Sequence, residues 1–501
     1  MRSPRPAALP ESIAAVDLGS NSFHLVVARL QAGEPVVVDR LREMVQLAAG
    51  LNSRRRLDAR SRGRALDCLR RFGQRLRHMP AESVRAVGTN TLRVARDAKR
   101  FLAEAEAALG HPIDTISDME EARLIYLGVA HSLPDAGVRR LVVDIGGGST
   151  EVIVGESFRP IRMASVYLGC VTLGRAQFAG GEIDEAGWRR AELAALREFG
   201  PLRSTFRGLD WRQAVGASGT VHSIAAVVRE SGWGEGGITP KALRKLRDAL
   251  LRAGHVERIR LAGLNPERRP VLPGGAVLLL AALETLEIEE LHPAHGALRE
   301  GLLYDLLGRI RAEDVRDRSV AALADRYHAD RAHGARVAAS ALELFDQVAG
   351  KWELLDEDRL LLGWAAELHE IGLDIAHRHY HKHGAYVVAR SDLFGFTLEE
   401  QRLLATLVRA QRRRFPAAHR DELPRRRARQ IERLCILLRL AVVLHRSRSP
   451  DPIPTPRVEA GKKRVRLAFA PGWLAQKPLT RADLEQERDR LSRIGVALEF
   501  E

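Results

Sequence analysis

The sequence predicts an α/β protein that carries one strand–turn–strand unit twice, followed by a helical region of different character. Leu141–Gly155 reads LVVDIGGGSTEVIVG: a short apolar strand ends on Asp144, three glycines and a serine follow, and Thr150–Val154 alternates as a second strand. The same order occurs at the start of the chain. Ala14–Asp17 reads AAVD, Gly19–Ser22 reads GSNS, and Phe23–Ala28 alternates again. From about Arg311 the pattern becomes helical and rich in histidine.

Each turn has a definite chemistry. A Gly-Gly-Gly-Ser turn leaves backbone N–H groups bare and admits close approach, which suits phosphate oxygens. Gly146, Gly147, Gly148 and Ser149 form one such cradle, and Gly19, Ser20, Asn21 and Ser22 form the other. A carboxylate at the strand end suits hydrated Mg²⁺, which makes Asp144 and its counterpart Asp17 candidate metal ligands. Taken alone, GGGS reads equally as a linker or a plain hairpin turn. The second copy favours two facing phosphate turns and a cleft between them.

The chain has 501 residues and 45% hydrophobic residues, enough for several ordinary cores. Its net charge of +15 favours polyanions (phosphate chains, nucleic acid or an acidic membrane surface) without choosing among them. A solvated arginine-rich surface explains the same number. Peripheral membrane association is thereby left open, and no dedicated nucleic-acid motif is found. Cys68, Cys170 and Cys435 are scattered without metal spacing, so a reduced, cytoplasmic protein is expected. No apolar run approaches the ~20 residues a membrane-spanning helix needs. The basic, proline-rich residues 1–12 lack a signal peptide's apolar segment and read as a disordered lead-in.

Further elements follow in order. Pro35–Asp39 alternates, and Ser53–Arg77 has helical spacing. Val84–Gly88 is a strand after which Thr91-Leu92-Arg93 opens a helix. Arg93 is there an anion-binding candidate or a surface arginine. Pro112–Ile116 reads as a strand and Ser117–Ala130 as a helix in which Ser117 and Glu120 have capping-box spacing. That spacing assigns Glu120 a structural part and leaves Glu121 without a local partner, either solvated or a general base. An arginine-rich helix surrounds Trp188–Phe199. Val215–Thr220 leads into an apolar helix at Val221–Val228, whose N-terminus at Gly219 and Thr220 is a further weak anion site.

The ordered set DLGSNS, GTNTLR, EEARLIYLGV, DIGGGSTEVIVG, GASGT, PGGA and GALREGLLYD resembles the exopolyphosphatase/guanosine pentaphosphate phosphatase (Ppx/GppA) family in its long form. The resemblance implies a duplicated ribonuclease-H-like pair (the actin-like, sugar-kinase-like ATPase fold). The chain itself divides into 13–134, 135–310, a helical region at 311–455 that resembles the HD-type fold, and a small α+β unit at 456–501, where an alternating hairpin begins at Arg457. The family resemblance covers 13–310 by its motifs. It further implies that Glu121 activates water and Asp144 associates with Mg²⁺. By the same resemblance the two turns would hold phosphate, Arg93 would clamp a phosphate, Glu151 would assist the metal, and Arg268 would help bind the substrate chain. A homodimer is implied as well.

In the third region His369-Glu370 stands where a metal-binding His-Asp pair is needed, and the longer carboxylate reaches elsewhere. No second metal active site is therefore expected. The basic stretch Arg409–Arg433 reads as a guide for a polyanion or as a solvated helix face. Two positions depart from the family pattern: Asp118, expected at the helix cap and off the substrate path, and His222.

The reading that follows is an exopolyphosphatase, releasing terminal orthophosphate from inorganic polyphosphate with Mg²⁺. The alternative is the 5′ γ-phosphatase of guanosine pentaphosphate, which would use the same groups. An actin-like sugar kinase and a non-enzymatic polyphosphate- or nucleotide-binding regulator fit less well, because neither uses Glu121 beside the phosphate turns.

Overall fold

The computed structural model describes residues 10–501 except 32, 135–136, 235–236, 312, 414–424 and 450. Most of the lead-in and the centre of the Arg409–Arg433 stretch therefore lie outside the described residues. Two units, Met1–Asp314 and Val315–Glu501, divide the chain.

The first unit contains two sheets of identical topology. In the first, β1 (Ser12–Leu18) pairs antiparallel with β2 (Phe23–Gln31) and β2 with β3 (Glu34–Glu43). A helical crossover, α1 (Ala59–Leu76), then brings β4 (Val84–Gly88) parallel to β1. The short α2 (Asn90–Val94) and α3 (Ala98–Leu109) lead to β5 (Ile113–Thr115) at the far edge. The helix α4 (Asp118–Ser132) follows, capped by Ser117 Oγ, which accepts from the Glu120 amide at 3.1 Å.

The second sheet repeats the plan with β6 (Arg139–Ile145), β7 (Thr150–Glu156) and β8 (Arg159–Val166) as the antiparallel meander. After α5 (Cys170–Gln177) and α6 (Glu185–Phe206), β9 (Gln213–Gly216) lies parallel to β6. The helices α7 (Gly219–Glu230), α8 (Pro240–Ala253) and α9 (Leu272–Thr285) precede β10 (His292–Pro293), parallel to β9.

The strand orders, β3-β2-β1-β4-β5 and β8-β7-β6-β9-β10, are copies of one another. The repeat extends to detail. Asp17 faces His24 across its hairpin as Asp144 faces Glu151, and each meander is bulged at the equivalent step, Val27/Ala28 and Val154/Gly155.

Helix α10 (Leu298–Ile310) closes the unit. It packs on α4 and the first sheet, although the second sheet precedes it in the chain. The approach to α4 is too close for side chains: a Cβ on Gly301 would lie 1.9 Å from the Leu124 carbonyl oxygen, and one on Gly128 would lie 2.0 Å from that of Ala297. Beside this contact, Arg123 donates to both carboxylate oxygens of Glu120 at 2.8 Å and to Asp305, which also accepts from Arg309 Nε at 3.1 Å. Glu120, expected to complete a capping box, is itself fully buried and is committed to this network instead.

The second unit packs α11 (Val315–Arg326), α12 (Arg331–Trp352), α13 (Asp356–Glu367), α14 (Tyr380–Arg390), α15 (Leu398–Ala410) and α16 (Arg425–Leu444) around one core. The three-stranded sheet of β11 (Arg457–Ala460), β12 (Arg464–Ala468) and β13 (Ala497–Phe500), with α17 (Pro478–Ser492), shares that core through Val458, Leu467 and Leu498. The tail is also tied to α16 by a buried, bidentate pair between Arg439 and Glu487. Among the described residues, no helix is long and apolar enough to cross a membrane.

Candidate active site

The two Gly/Ser turns meet face to face. A Cβ on Gly147 would lie 3.0 Å from the Ser20 Cβ and 3.4 Å from that of Asn21, and one on Gly148 would lie 2.4 Å from Asn90 Oδ1. Both approaches are tight, and a side chain at Gly148 would have to displace that of Asn90. Ser20 Oγ accepts from Thr91 Oγ1 at 2.8 Å, which anchors the first turn to α2. Gly169 packs against the second turn, where a Cβ would lie 2.3 Å from the Gly147 carbonyl carbon.

A cleft of about 570 Å³ opens beside these turns. It is lined by both turns, by Asp17, Glu121, Asp144 and Glu151, and by Gly219, Thr220 and Arg268. Arg93 is the one candidate of the sequence reading that does not line it. It sits in the last turn of α2, not at a helix N-terminus, and its Nη1 donates to Glu121 Oε2 at 2.7 Å and to the Ile116 carbonyl at 3.2 Å. Its Nη2 is buried without a hydrogen-bond partner. Glu121 thus gains its partner across the fold, from a residue that local sequence could not supply. Asp118 accepts from the Tyr167 hydroxyl at 2.9 Å and does not line the cleft, whereas His222 does, hydrogen-bonded to the Ala294 carbonyl at 2.9 Å.

Four carboxylates share this cleft, and each is harder to ionise than usual. Burial, and then Glu121, push Asp17 up to about 8 and Asp144 up to about 7. Burial likewise holds Glu151 well above its ordinary range, with Glu121 and Asp144 adding to the effect, while Ser165 Oγ donates to its Oε1 at 2.9 Å. Burial raises Glu121 too, and the Arg93 guanidinium works against that rise. Asp17 Oδ1 is buried and unpartnered. No three of these carboxylates bring oxygens within 4.8 Å of one another. A cation held here would therefore keep part of its shell for water and phosphate, as Mg²⁺ commonly does.

Sequence reasoning missed part of the cleft lining. Arg40, Arg42 and Arg299 line it together with His24 and His295. Arg299 lies inside the GALREG motif and Asn90 inside GTNTLR, so the motifs flagged their neighbourhood. Arg42 stands on a strand that reads only as alternating. Arg268 has no carboxylate partner among the described residues. Burial, and next Arg42, lower its pKa to about 10, and its guanidinium covers Gly219, whose Cβ would fall 2.2 Å from Nη2.

A duplicated ribonuclease-H-like fold with paired Gly/Ser turns and a carboxylate-lined cleft defines a protein of the actin-like class. The chain belongs to the Ppx/GppA phosphatase family: residues 26–310 match the Ppx/GppA phosphatase family and residues 315–488 match Ppx/GppA phosphatase, domain III. Among its relatives are proteins named guanosine-5′-triphosphate,3′-diphosphate pyrophosphatase. The one from Vibrio cholerae is 40% identical over 492 residues, 97% of this chain and 98% of that one. The one from Aeromonas hydrophila is 39% identical over 483 residues, 96% and 97% of the two chains. A crystal structure of an exopolyphosphatase from Cytophaga hutchinsonii superposes with a TM-score of 0.54 at 23% identity, covering 60% of this chain and 98% of that one. That likeness is one of fold.

Proposed function

We propose that the protein hydrolyses the 5′ γ-phosphate of guanosine 5′-triphosphate,3′-diphosphate, releasing orthophosphate and leaving the 3′-diphosphate in place. The observation that carries this reading is similarity at about 40% identity, over nearly the whole of both chains, to proteins named for that activity. It reverses the preference of the sequence reading, which placed polyphosphate first. The cleft is compatible with such a substrate. The Gly/Ser turns and carboxylates line it together with Arg42, Arg268 and Arg299, which offer charge to a second phosphate group.

In this reading the terminal phosphate lies against the backbone N–H groups of the Gly146–Ser149 turn, with Ser20 and Asn21 facing it. Glu121, oriented by Arg93, accepts a proton from water as its oxygen bonds to the γ-phosphorus. The bond from that phosphorus to the β–γ bridging oxygen breaks, and the nucleotide leaves as the tetraphosphate. Arg93, which does not line the cleft, acts through the carboxylate it holds, and the turn's backbone N–H groups are the donors to the equatorial oxygens.

Mg²⁺ fits the residues present. Asp17 Oδ1 lacks a partner, and Asp144 and Glu151 are buried acids that a divalent cation would allow to ionise. Such an ion would neutralise charge on the phosphates as the leaving oxygen develops.

The test is orthophosphate release from guanosine pentaphosphate and from long-chain polyphosphate, with Mg²⁺, by wild type and Glu121→Gln. Wild type is expected to release one orthophosphate per nucleotide, and Glu121→Gln to lose roughly 10²–10⁴ in kcat while retaining binding. Release from polyphosphate alone would return the assignment to the exopolyphosphatase reading.

A further inference from the structure

The second unit holds a cluster of donor side chains that the cleft does not use. Asp330 caps α12 by accepting from the His333 amide at 2.9 Å, which fixes His333 in the first turn, 3% exposed. His369 follows the end of α13 and is 2% exposed. Its Nδ1 lies 2.6 Å from the Ala366 carbonyl oxygen. A carbonyl only accepts, so Nδ1 carries the proton and the Nε2 of the neutral ring presents a lone pair.

That Nε2 lies 3.9 Å from Glu370 Oε1, and His333 Nε2 lies 3.9 Å from Glu370 Oε2. One ligand atom from each of the three residues falls within 4.8 Å of the others. Of all the described residues, these are the ones that meet this spacing. His333 Nδ1 is buried with no hydrogen-bond partner.

We propose that the second unit binds one divalent transition-metal ion of the zinc class through His333 Nε2, His369 Nε2 and the Glu370 carboxylate. Bonds of about 2.0–2.2 Å in tetrahedral geometry set ligand atoms roughly 3.4 Å apart. The two histidine–carboxylate spacings of 3.9 Å exceed this by about half an ångström, and the full set, within 4.8 Å, must close by side-chain rotation. A histidine whose second nitrogen is held by a backbone carbonyl is oriented as metal-ligating histidines are. Two imidazoles and one carboxylate favour zinc-type ions over Mg²⁺.

The sequence reading set this region aside because Glu370 stands where the His-Asp pattern needs aspartate. In the fold, the two oxygens of that carboxylate each lie 3.9 Å from one of the two imidazoles. The proposal is one of binding, and it rests on neither the phosphate chemistry nor the substrate.

A competing cation stands beside the three residues. Arg448 donates to Glu370 Oε2 and lies 3.6 Å from Asp330. Metal binding would release Arg448 from Glu370 toward Asp330.

The experiment uses the full chain, stripped with chelator and returned to Mg²⁺-containing buffer, then titrated with Co²⁺ and with Zn²⁺. One equivalent of Co²⁺ should develop visible d–d absorption, one equivalent of Zn²⁺ should displace it, and Zn²⁺ should raise the unfolding midpoint. His333→Asn and His369→Asn should weaken binding by at least about a hundredfold, more than loss of an outer partner does. Arg448→Ala keeps every ligand and removes the rival, so it should bind Zn²⁺ roughly 2–5-fold more tightly than wild type. Failure of wild type to take up one equivalent, uptake by His333→Asn equal to wild type, or weaker binding by Arg448→Ala would each overturn the site. The arginine variant decides the matter even if the histidine variants fold poorly.

Discussion

Arg93 and Glu121 form an ion pair across 2.7 Å, joining a one-turn helix after β4 to the first turn of α4. Burial disfavours both charges, and each is held by the other: the carboxylate keeps Arg93 above its ordinary pKa, and the guanidinium restrains the rise at Glu121. Arg93 therefore sets the ionisation of the proposed base as well as its direction. In Arg93→Ala, kcat/KM should fall by roughly 10²–10³. Because the restraint is gone, the acidic limb of the pH–rate profile should move to higher pH, with Arg93→Lys lying between. An unmoved limb would leave Arg93 with the orientation of Glu121 alone.

Asp144 makes stability depend on pH in a calculable direction. Its pKa is raised from 3.8 to about 7, so the native state holds a proton that the unfolded chain loses at lower pH. Without divalent metal, stability from this group declines as pH rises between those values. Asp144→Asn lacks that dependence. It should match wild type near pH 4 and exceed it by up to about 3 kcal/mol near pH 7, measured by urea unfolding in chelator. Mg²⁺ should narrow the gap by stabilising the wild type.

The Asp305 network behaves in the opposite sense. Burial disfavours its charge, but Arg123, Arg309 and Arg85 outweigh that and hold its carboxyl well below the ordinary aspartate range. Its contribution is present above that range and is lost as pH falls through the lowered native value. Asp305→Asn leaves buried guanidinium groups short of a counter-charge and should cost about 3–5 kcal/mol at pH 7. The difference from wild type should shrink only in strong acid.

Gly301 tests whether α4 is held in place from behind. A Cβ there meets the Leu124 carbonyl, one turn from Glu121 on the same helix. Gly301→Ala should cost about 1–3 kcal/mol of stability. It should also lower kcat on the order of a hundredfold with little change in KM, because a displaced base is a misplaced one. Equal kcat in wild type and variant would separate the helix contact from the chemistry.

The parts of the site that were legible in sequence are those written locally. Strand alternation, a terminal aspartate and small turn residues announce themselves within a dozen positions, and the second copy removed the ambiguity of the first. The hairpin pairing Asp144 with Glu151 follows from the same register. What was not legible depends on distance in the chain. The partner of Glu121 lies 28 residues away, and Asp305 reaches Arg123 across 182. The spacing of Ser117 and Glu120 satisfied a local rule, yet a buried arginine on the next turn outbid the backbone for the carboxylate. Arg42 and Arg299 carry no pattern of their own, and only the closed cleft makes them neighbours.

The return of α10 to the first sheet has a consequence for the order in which the molecule can be made. Leu298, Leu302 and Leu303 share a core cluster with Ile13, Val26 and Ala122, so the first lobe is completed by residues translated after the whole of the second sheet. During synthesis, the α4 surface that receives α10 stays bare until the ribosome has passed Ile310. The early lobe must wait, exposed, for the late one. A chain truncated before α10 would lack both the apolar cover of α4 and the Asp305 carboxylate that neutralises Arg123, and would expose the helix bearing Glu121 to non-native association.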